Sequence, residues 1–227
     1  MYQVKRGKLM EKDFINEMDF SKAIKLEKPI AILLTGDPGS GKTMLARMIS
    51  RKLKLYVISS DYIRNYYYQF TKDYSDEKRQ EIAHKVLNIN IERFKKIISS
   101  NISFISDRNS NTNEDVNEFI SGYGIGENYT IIKIKINSND EVNIERISRR
   151  KADFKQIDDE IIGENISYSV PYPKEVYYEI KERKPIIVED EEFDYIIDNN
   201  GTLEEFKQQI ENVIHKIEKQ IKQIEFE

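Results

Sequence analysis

Apolar residues along this chain gather in two ways. Short dense runs have the length and β-branched content of strands. They are Ile30-Ala31-Ile32-Leu33-Leu34, Leu55-Tyr56-Val57-Ile58, Ile102-Ser103-Phe104-Ile105-Ser106-Asp107, Thr130 to Ile136, and Asp194-Tyr195-Ile196-Ile197-Asp198. Elsewhere apolar residues recur every three or four positions, the period of an amphipathic helix. Ile82, Val86, Ile89, Phe94 and Ile97 mark a long helix over Asp76 to Ile98, which Asn101 ends. Leu203, Phe206, Ile210, Val213, Ile217, Ile221 and Ile224 mark a second, C-terminal helix. Shorter helices are predicted over Met44 to Leu53, Asn111 to Phe119 and Lys174 to Glu182, with Gly122 to Gly126 as a loop.

Two capping boxes supply helix starts. In each, a hydroxyl accepts the backbone N–H three residues on, and the carboxylate found there returns the bond. Ser138-Asn139-Asp140-Glu141 opens a helix running to about Arg150, and Thr202-Leu203-Glu204-Glu205 opens the last one.

Strands alternating with helices predict an α/β protein, a three-layer α/β/α sandwich around a mostly parallel five-stranded sheet. Residues 1–28, with Phe14, Ile15, Met18, Phe20 and Ile24, form a helical appendage ahead of Pro29. Residues 29–215 form the main domain, with a lid at about 146–170. Residues 203–227 form a helix packed on the domain or at a dimer contact, so a monomer or a homodimer is expected. Residues 151–185 are irregular and charged, with Pro171 and Pro173 bounding a turn.

Composition narrows the partners. The 36 basic and 40 acidic side chains are interspersed and the net charge is −4, which excludes a basic field that wraps long nucleic acid. A local basic pocket, and with it a nucleic-acid end, stays open. With no cysteine there is no disulfide framework or thiolate metal site. No run approaches eighteen apolar residues, and Met1-Tyr2-Gln3-Val4-Lys5-Arg6 lacks the apolar centre of a signal peptide. A cytoplasmic protein without membrane contact is expected.

The sharpest chemical signal follows the first strand. Gly36-Asp37-Pro38-Gly39-Ser40-Gly41-Lys42-Thr43 is a complete G-x-x-x-x-G-K-[ST] phosphate-binding loop in a strand–turn–helix setting. Its glycines let backbone N–H groups converge on an anion, and the helix opening at Thr43 points its dipole at the same place. Lys42 adds a charge for β- and γ-phosphates, and the Thr43 hydroxyl suits Mg²⁺. The expected ligand is a nucleoside triphosphate.

The loop at 36–43, Asp61, Asp107 and Asn199 to Gly201 all fall at the carboxyl ends of the predicted strands, where open α/β sheets bind ligands. Asp61 and Arg64 would share a face of a helix begun near Ser60, as a base with an anion grip or as a helix cap with its surface partner. Asp107 suits a Mg²⁺ orienter or a strand-end turn. Arg146, Arg149, Arg150 and Lys151 read as a lid closing on phosphates, or as cations complementing a helix C-terminus. Tyr62, Tyr66, Tyr67 and Tyr68 could stack on a substrate ring or pack beneath a loop. His84 and His215 have no nucleophile or ligand set nearby in sequence and read as structural or solvated.

With these residues in place the chain resembles P-loop kinases, specifically the polynucleotide-kinase and zeta-toxin-like branch. The resemblance runs from residue 30 to about 210. It rests on the loop at 36–43, Ser60-Asp61-Tyr62-Ile63-Arg64 and Ile105-Ser106-Asp107-Arg108-Asn109-Ser110-Asn111. Glu145-Arg146-Ile147-Ser148-Arg149-Arg150 and Asp194 to Gly201 complete it. The resemblance implies that Lys42 and Thr43 serve ATP and Mg²⁺, and that Asp61 is the general base. It makes Arg64 an acceptor-phosphate contact, Asp107 an acceptor or metal orienter, and Arg146 or Arg150 the lid arginine. Asn199 to Gly201 would flank the adenine. Arg108 stands where the family often has Thr or Ala, and residues 151–185 match none of its blocks. The implied activity is transfer of the γ-phosphoryl group of ATP to a hydroxyl of a polynucleotide 5′ end, a nucleoside or nucleotide, or a sugar derivative. The alternatives are a regulatory nucleotide-dependent NTPase and a zeta-toxin-like sugar-nucleotide kinase. The Asn-Lys-x-Asp signature of guanine readers is absent.

Overall fold

The computed structural model describes residues 11–68, 75–107, 113–150, 160–163, 172–183, 185–187 and 189–224. Arg108 to Asn111, Lys151 and most of the expected lid beyond it lie outside the described residues. In chain order the elements are α1 (Glu11–Asn16), β1 (Ile30–Thr35), α2 (Lys42–Leu53), β2 (Tyr56–Ile58), α3 (Ser60–Tyr68) and α4 (Asp76–Ser99). There follow β3 (Phe104–Ser106), α5 (Asn113–Gly122), β4 (Thr130–Asn137), α6 (Asp140–Ser148), α7 (Lys174–Arg183), β5 (Tyr195–Asp198) and α8 (Leu203–Ile224). Among the described residues no helix is long and apolar enough to cross a membrane.

The five strands form one sheet in the order β2-β3-β1-β4-β5. Every pairing is parallel, so the expected sheet is not just mostly but wholly parallel. Each strand returns through a helical crossover, which brings all carboxyl ends to one edge. The register aligns them: Leu33 pairs with Ser106, Ser106 with Ile58, Thr35 with Lys135, and Asn137 with Asp198.

Helices cover both faces, which is why β1 is an unbroken apolar run buried at all six residues. One face packs Ile30, Ile32 and Leu34 against Leu45, Ile49 and Leu53 of α2 and Phe206, Ile210 and Ile217 of α8. The other packs Ala31, Leu33 and Phe104 against Phe94 and Ile97 of α4 and Val116 and Phe119 of α5. Each such Ile or Leu contributes roughly 1.5–3 kcal/mol when fully buried. The stripe of α8 lies on this core as far as Ile221, whereas Leu203, at the head of the expected stripe, is 57% exposed because it precedes the sheet-facing turns. Phe14 of α1 meets Ile63, Ile82, Val86 and Ile89 in a third, smaller cluster.

The segment at 160–163 docks against β2. The Val57 N–H donates to the Ile162 carbonyl at 2.8 Å, and Val57 forms a parallel bridge with Gly163. The buried Ser50 hydroxyl accepts the Ile162 N–H at 3.0 Å, and Ile161 and Ile162 are both buried. A side chain cannot replace Gly163: its φ is +94°, and a Cβ would stand 2.5 Å from the Val57 carbonyl oxygen. Residues 160–163, within the expected lid, are therefore an anchor on the β2 side of the sheet.

The two capping boxes part company. Thr202 and Glu205 form theirs reciprocally, with the Glu205 N–H on the Thr202 hydroxyl at 3.2 Å and the Thr202 N–H on the Glu205 carboxylate at 2.7 Å. The box expected at Ser138 does not form. Its hydroxyl donates instead to Asn143 Oδ1 at 2.8 Å, and Asn139 is the cap of α6. That helix also stops at Ser148, short of the expected Arg150.

A candidate phosphate-binding and transfer site

The loop from Gly36 to Gly41 joins β1 to α2 at the carboxyl edge of the sheet. At Gly41 φ is +108°, and a Cβ there would lie 2.8 Å from both Asn199 Nδ2 and the Phe206 ring. The loop is braced from the β5 side: Asn199 Nδ2 donates to the Ser40 carbonyl at 2.6 Å, and Arg146 Nη2 donates to Asn199 Oδ1 at 3.0 Å. Asn199 is 4% exposed, so its amide is part of the loop's frame. Gly201 lies in the same β5–α8 turn, one residue ahead of the Thr202–Glu205 cap.

Lys42 opens α2 and folds over the loop, donating to the Gly36 carbonyl at 2.6 Å and the Asp37 carbonyl at 3.0 Å. Burial lowers its ammonium pKa, opposed by the carboxylates of Asp107, Asp61 and Asp37, while the Arg150 charge lowers it further. Thr43 donates its hydroxyl to Asp107 Oδ2 at 2.9 Å. The Asp107 N–H is tied to the Ile58 carbonyl at 2.9 Å, which sets this carboxylate between β1 and β2. Burial raises its pKa against the pull of Lys42 and the Thr43 hydrogen bond.

Asp61 is the second residue of α3 and forms an ion pair with Arg64 one turn on. The start of α3 is fastened from below. Asn90 Nδ2 donates to the Ser60 hydroxyl at 2.9 Å, and Arg93 Nη1 donates to Asn90 Oδ1 at 2.9 Å. Arg93 is 1% exposed and also hydrogen-bonds the Tyr56 hydroxyl. Burial holds this guanidinium down to about 10 and pushes the Tyr56 phenol up to about 12.

Of the expected lid cations, Arg146 braces Asn199, and Arg150 acts on Lys42 and hydrogen-bonds the Tyr172 hydroxyl. Arg149 points elsewhere, to Glu145 on the outer face of α6. At the crevice along the carboxyl edge of the sheet, Asp61, Asp107 and Arg150 thus all act on Lys42, with Thr43 bonded to Asp107, Arg64 paired to Asp61, and Arg146 and Asn199 bracing the loop. The tyrosines of α3 pack in the third cluster, with the Phe14 ring 6.0 Å from Tyr62 and 5.2 Å from Tyr66. His84 is exposed on α4, and His215 faces Glu218 on the surface of α8.

Sequence reasoning missed Arg47, Tyr172, Arg93 and Asn90. Arg47 could have been found, since it lies one helical turn beyond Thr43 and its charge reaches Asp107. Tyr172 had no signal, because it stands in an irregular run and meets Arg150 and Asp61 only in three dimensions.

The residues present fit a magnesium triphosphate. The Lys42 ammonium and the N-terminus of α2 stand at the loop, and Thr43 and Asp107 offer the two oxygen donors that Mg²⁺ takes from protein when phosphates supply others. Among the described residues no group of three or more His, Cys, Asp and Glu could hold a metal unaided.

A family model described as AAA domain matches residues 32–167, from β1 through the 160–163 anchor. No curated protein matches the chain by sequence. Among solved structures it is similar to a kinase candidate from Chloroflexus aurantiacus, at 19% identity and TM-score 0.59 over 85% of this chain and 98% of that one. It is also similar to shikimate kinase from Bacteroides thetaiotaomicron, at 16% identity and TM-score 0.51 over 83% and 98%. A gluconokinase from Sinorhizobium meliloti aligns at 11% identity and TM-score 0.51 over 84% and 94%. With a phosphate loop between β1 and α2 and a parallel 2-3-1-4-5 sheet behind it, the chain belongs to the AAA-domain family and has the P-loop kinase fold.

Proposed function

We propose that this protein is an ATP- and Mg²⁺-dependent kinase that transfers the γ-phosphoryl group to a hydroxyl of a small molecule. One observation carries the reading: a carboxylate already paired with an arginine, Asp61 with Arg64, shares a crevice with Lys42 and the Thr43–Asp107 pair. A hydrolase needs only water on that side, whereas Asp61 and Arg64 form a base and an anion grip suited to an acceptor.

In this reading Lys42 and the loop amides hold the β- and γ-phosphates. Mg²⁺, held by the Thr43 hydroxyl and by Asp107, would neutralise phosphate charge. Asp61 takes the proton from the acceptor hydroxyl as that oxygen forms its bond to the γ-phosphorus. The bond from the γ-phosphorus to the bridging oxygen breaks, and ADP leaves with the electron pair. Arg150 neutralises the charge in transit, and the turn from Asn199 to Gly201, through its exposed Gly201 end, flanks the adenine. Two similar structures are named shikimate kinase and gluconokinase, which supports a small hydroxylated acid as acceptor over a polynucleotide 5′ end. The net charge of −4 agrees.

The test is ATP turnover with a panel of hydroxy acids, sugars, nucleosides and 5′-hydroxyl oligonucleotides. Asp61→Asn should lower transfer by about 10²–10⁴-fold while calorimetry finds MgATP affinity within a few-fold of the parent. Unchanged transfer in that variant removes Asp61 from its role. Turnover confined to the oligonucleotides moves the acceptor to a nucleic-acid end.

A further inference from the structure

A carboxylate inside an anion-binding loop works against its ligand, and this loop carries one. Asp37 is the second residue of the phosphate loop, and its charge reaches the Lys42 ammonium. Left alone it would repel polyphosphate and draw Lys42 toward itself.

The countercharge comes from an element that matches none of the sequence blocks of the kinase family. Lys181 of α7 places Nζ 3.4 Å from Asp37 Oδ2 and 2.5 Å from Asp140 Oδ1 at the start of α6. Burial alone would lower the Lys181 pKa, but the Asp140 and Asp37 carboxylates more than reverse it, so it stays charged. One turn earlier on α7, the fully buried Tyr177 donates its hydroxyl to Asp140 Oδ1 at 2.8 Å and accepts from Asn143 Nδ2 at 3.2 Å. Asn143 in turn lies under the loop, where a Cβ on Gly39 would come within 2.9 Å of its carbonyl oxygen. The buried tyrosine fixes where α7 sits, and the lysine one turn on is delivered to the loop's acidic residue.

We infer that Lys181 is a positioning residue for the nucleotide: it neutralises Asp37 and so lets the loop accept a polyphosphate. This rests on the nucleotide-binding part of the proposed function. Lys181, Asp37, Asn139 and Asn200 line one surface depression, so the compensation is open to solvent and sensitive to salt.

The experiment is calorimetry of the full chain with MgATP and MgADP at low and at physiological ionic strength, for wild type, K181M, D37N and the double variant. K181M should weaken MgATP by roughly tenfold at low salt, with a smaller loss for MgADP and for either nucleotide at higher salt. D37N alone should bind MgATP more tightly than wild type at low salt, and K181M should cost little once residue 37 is Asn. A K181M loss that is equally large on the D37N background overturns the inference, as does wild-type affinity in K181M. If K181M does not fold, D37N decides alone, and binding in it no tighter than wild type overturns the idea. A wild-type chain that binds neither nucleotide overturns the proposed function itself, a result distinct from all of these.

Discussion

At the scale of single residues, the site depends on groups whose neighbours are already in place. Gly41 is confined between Asn199 and Phe206, so Gly41→Ala should push the loop off its brace. We expect no measurable heat with MgATP for that variant, and a melting temperature lowered in line with roughly 1–3 kcal/mol of backbone strain. Arg93 acts at one remove. Arg93→Met keeps the bulk but leaves the Asn90 oxygen and the Tyr56 hydroxyl without their donor, at about 1–3 kcal/mol. Because Asn90 holds Ser60, the start of α3 should loosen, visible as faster amide exchange at 60–64 in that variant than in wild type. The phosphate loop could be read from residue types alone, since glycine suits its turns and a lysine followed by a hydroxyl residue, here Lys42-Thr43, completes it. Arg93 could not, because a charged residue in an amphipathic helix reads as solvated until Tyr56 and Asn90 are seen to enclose it.

At the scale of elements, α6 and α8 begin with the same sequence signal and end up capped differently. In α8 the backbone and hydroxyl donors of Thr202 hold the Glu205 carboxylate below its ordinary value. A depressed acid stabilises the fold above its unfolded value of 4.5, and the contribution fades as pH falls through the lower folded value. The melting-temperature difference between wild type and Glu205→Gln should therefore be present at pH 7 and close at acid pH. Thr202→Ala, which removes the cap itself, should cost about 1 kcal/mol in denaturant titrations. In α6 another residue of the same helix won: Asn143, whose amide is held across space by Tyr177, takes the Ser138 hydroxyl that the local pattern had assigned to a cap.

At the scale of the molecule, parallel crossovers gather the loop, Asp61, Asp107 and Asn199 at one edge, and the 160–163 anchor ties the chain between α6 and α7 to β2. Gly163→Ala should break that tie, since both the space and the positive φ forbid a Cβ. The expected result is a loss of about 1–3 kcal/mol and, with a strand edge uncovered, more light scattering on heating. Unaltered melting and scattering would show that the anchor contributes nothing to covering β2.

The order of strands and helices, the two-sided burial of β1 and the phosphate loop were all present in the linear chain. Each arises from periodicity or from residue types within about eight positions of one another, and such local signals survive whatever the rest of the fold does. Which cations face the crevice was not present there. Arg146, Arg149 and Arg150 look alike in sequence, and they are separated only by where α6 stops and by what Asn199, Glu145 and Tyr172 offer across space. The same holds for Lys181 and Asp37, which are 144 positions apart (181 − 37) and meet because α7 packs on α6. Contacts between distant positions depend on how whole elements dock, and the free energy of docking is spread over many apolar residues that carry no mark of the chemistry they align.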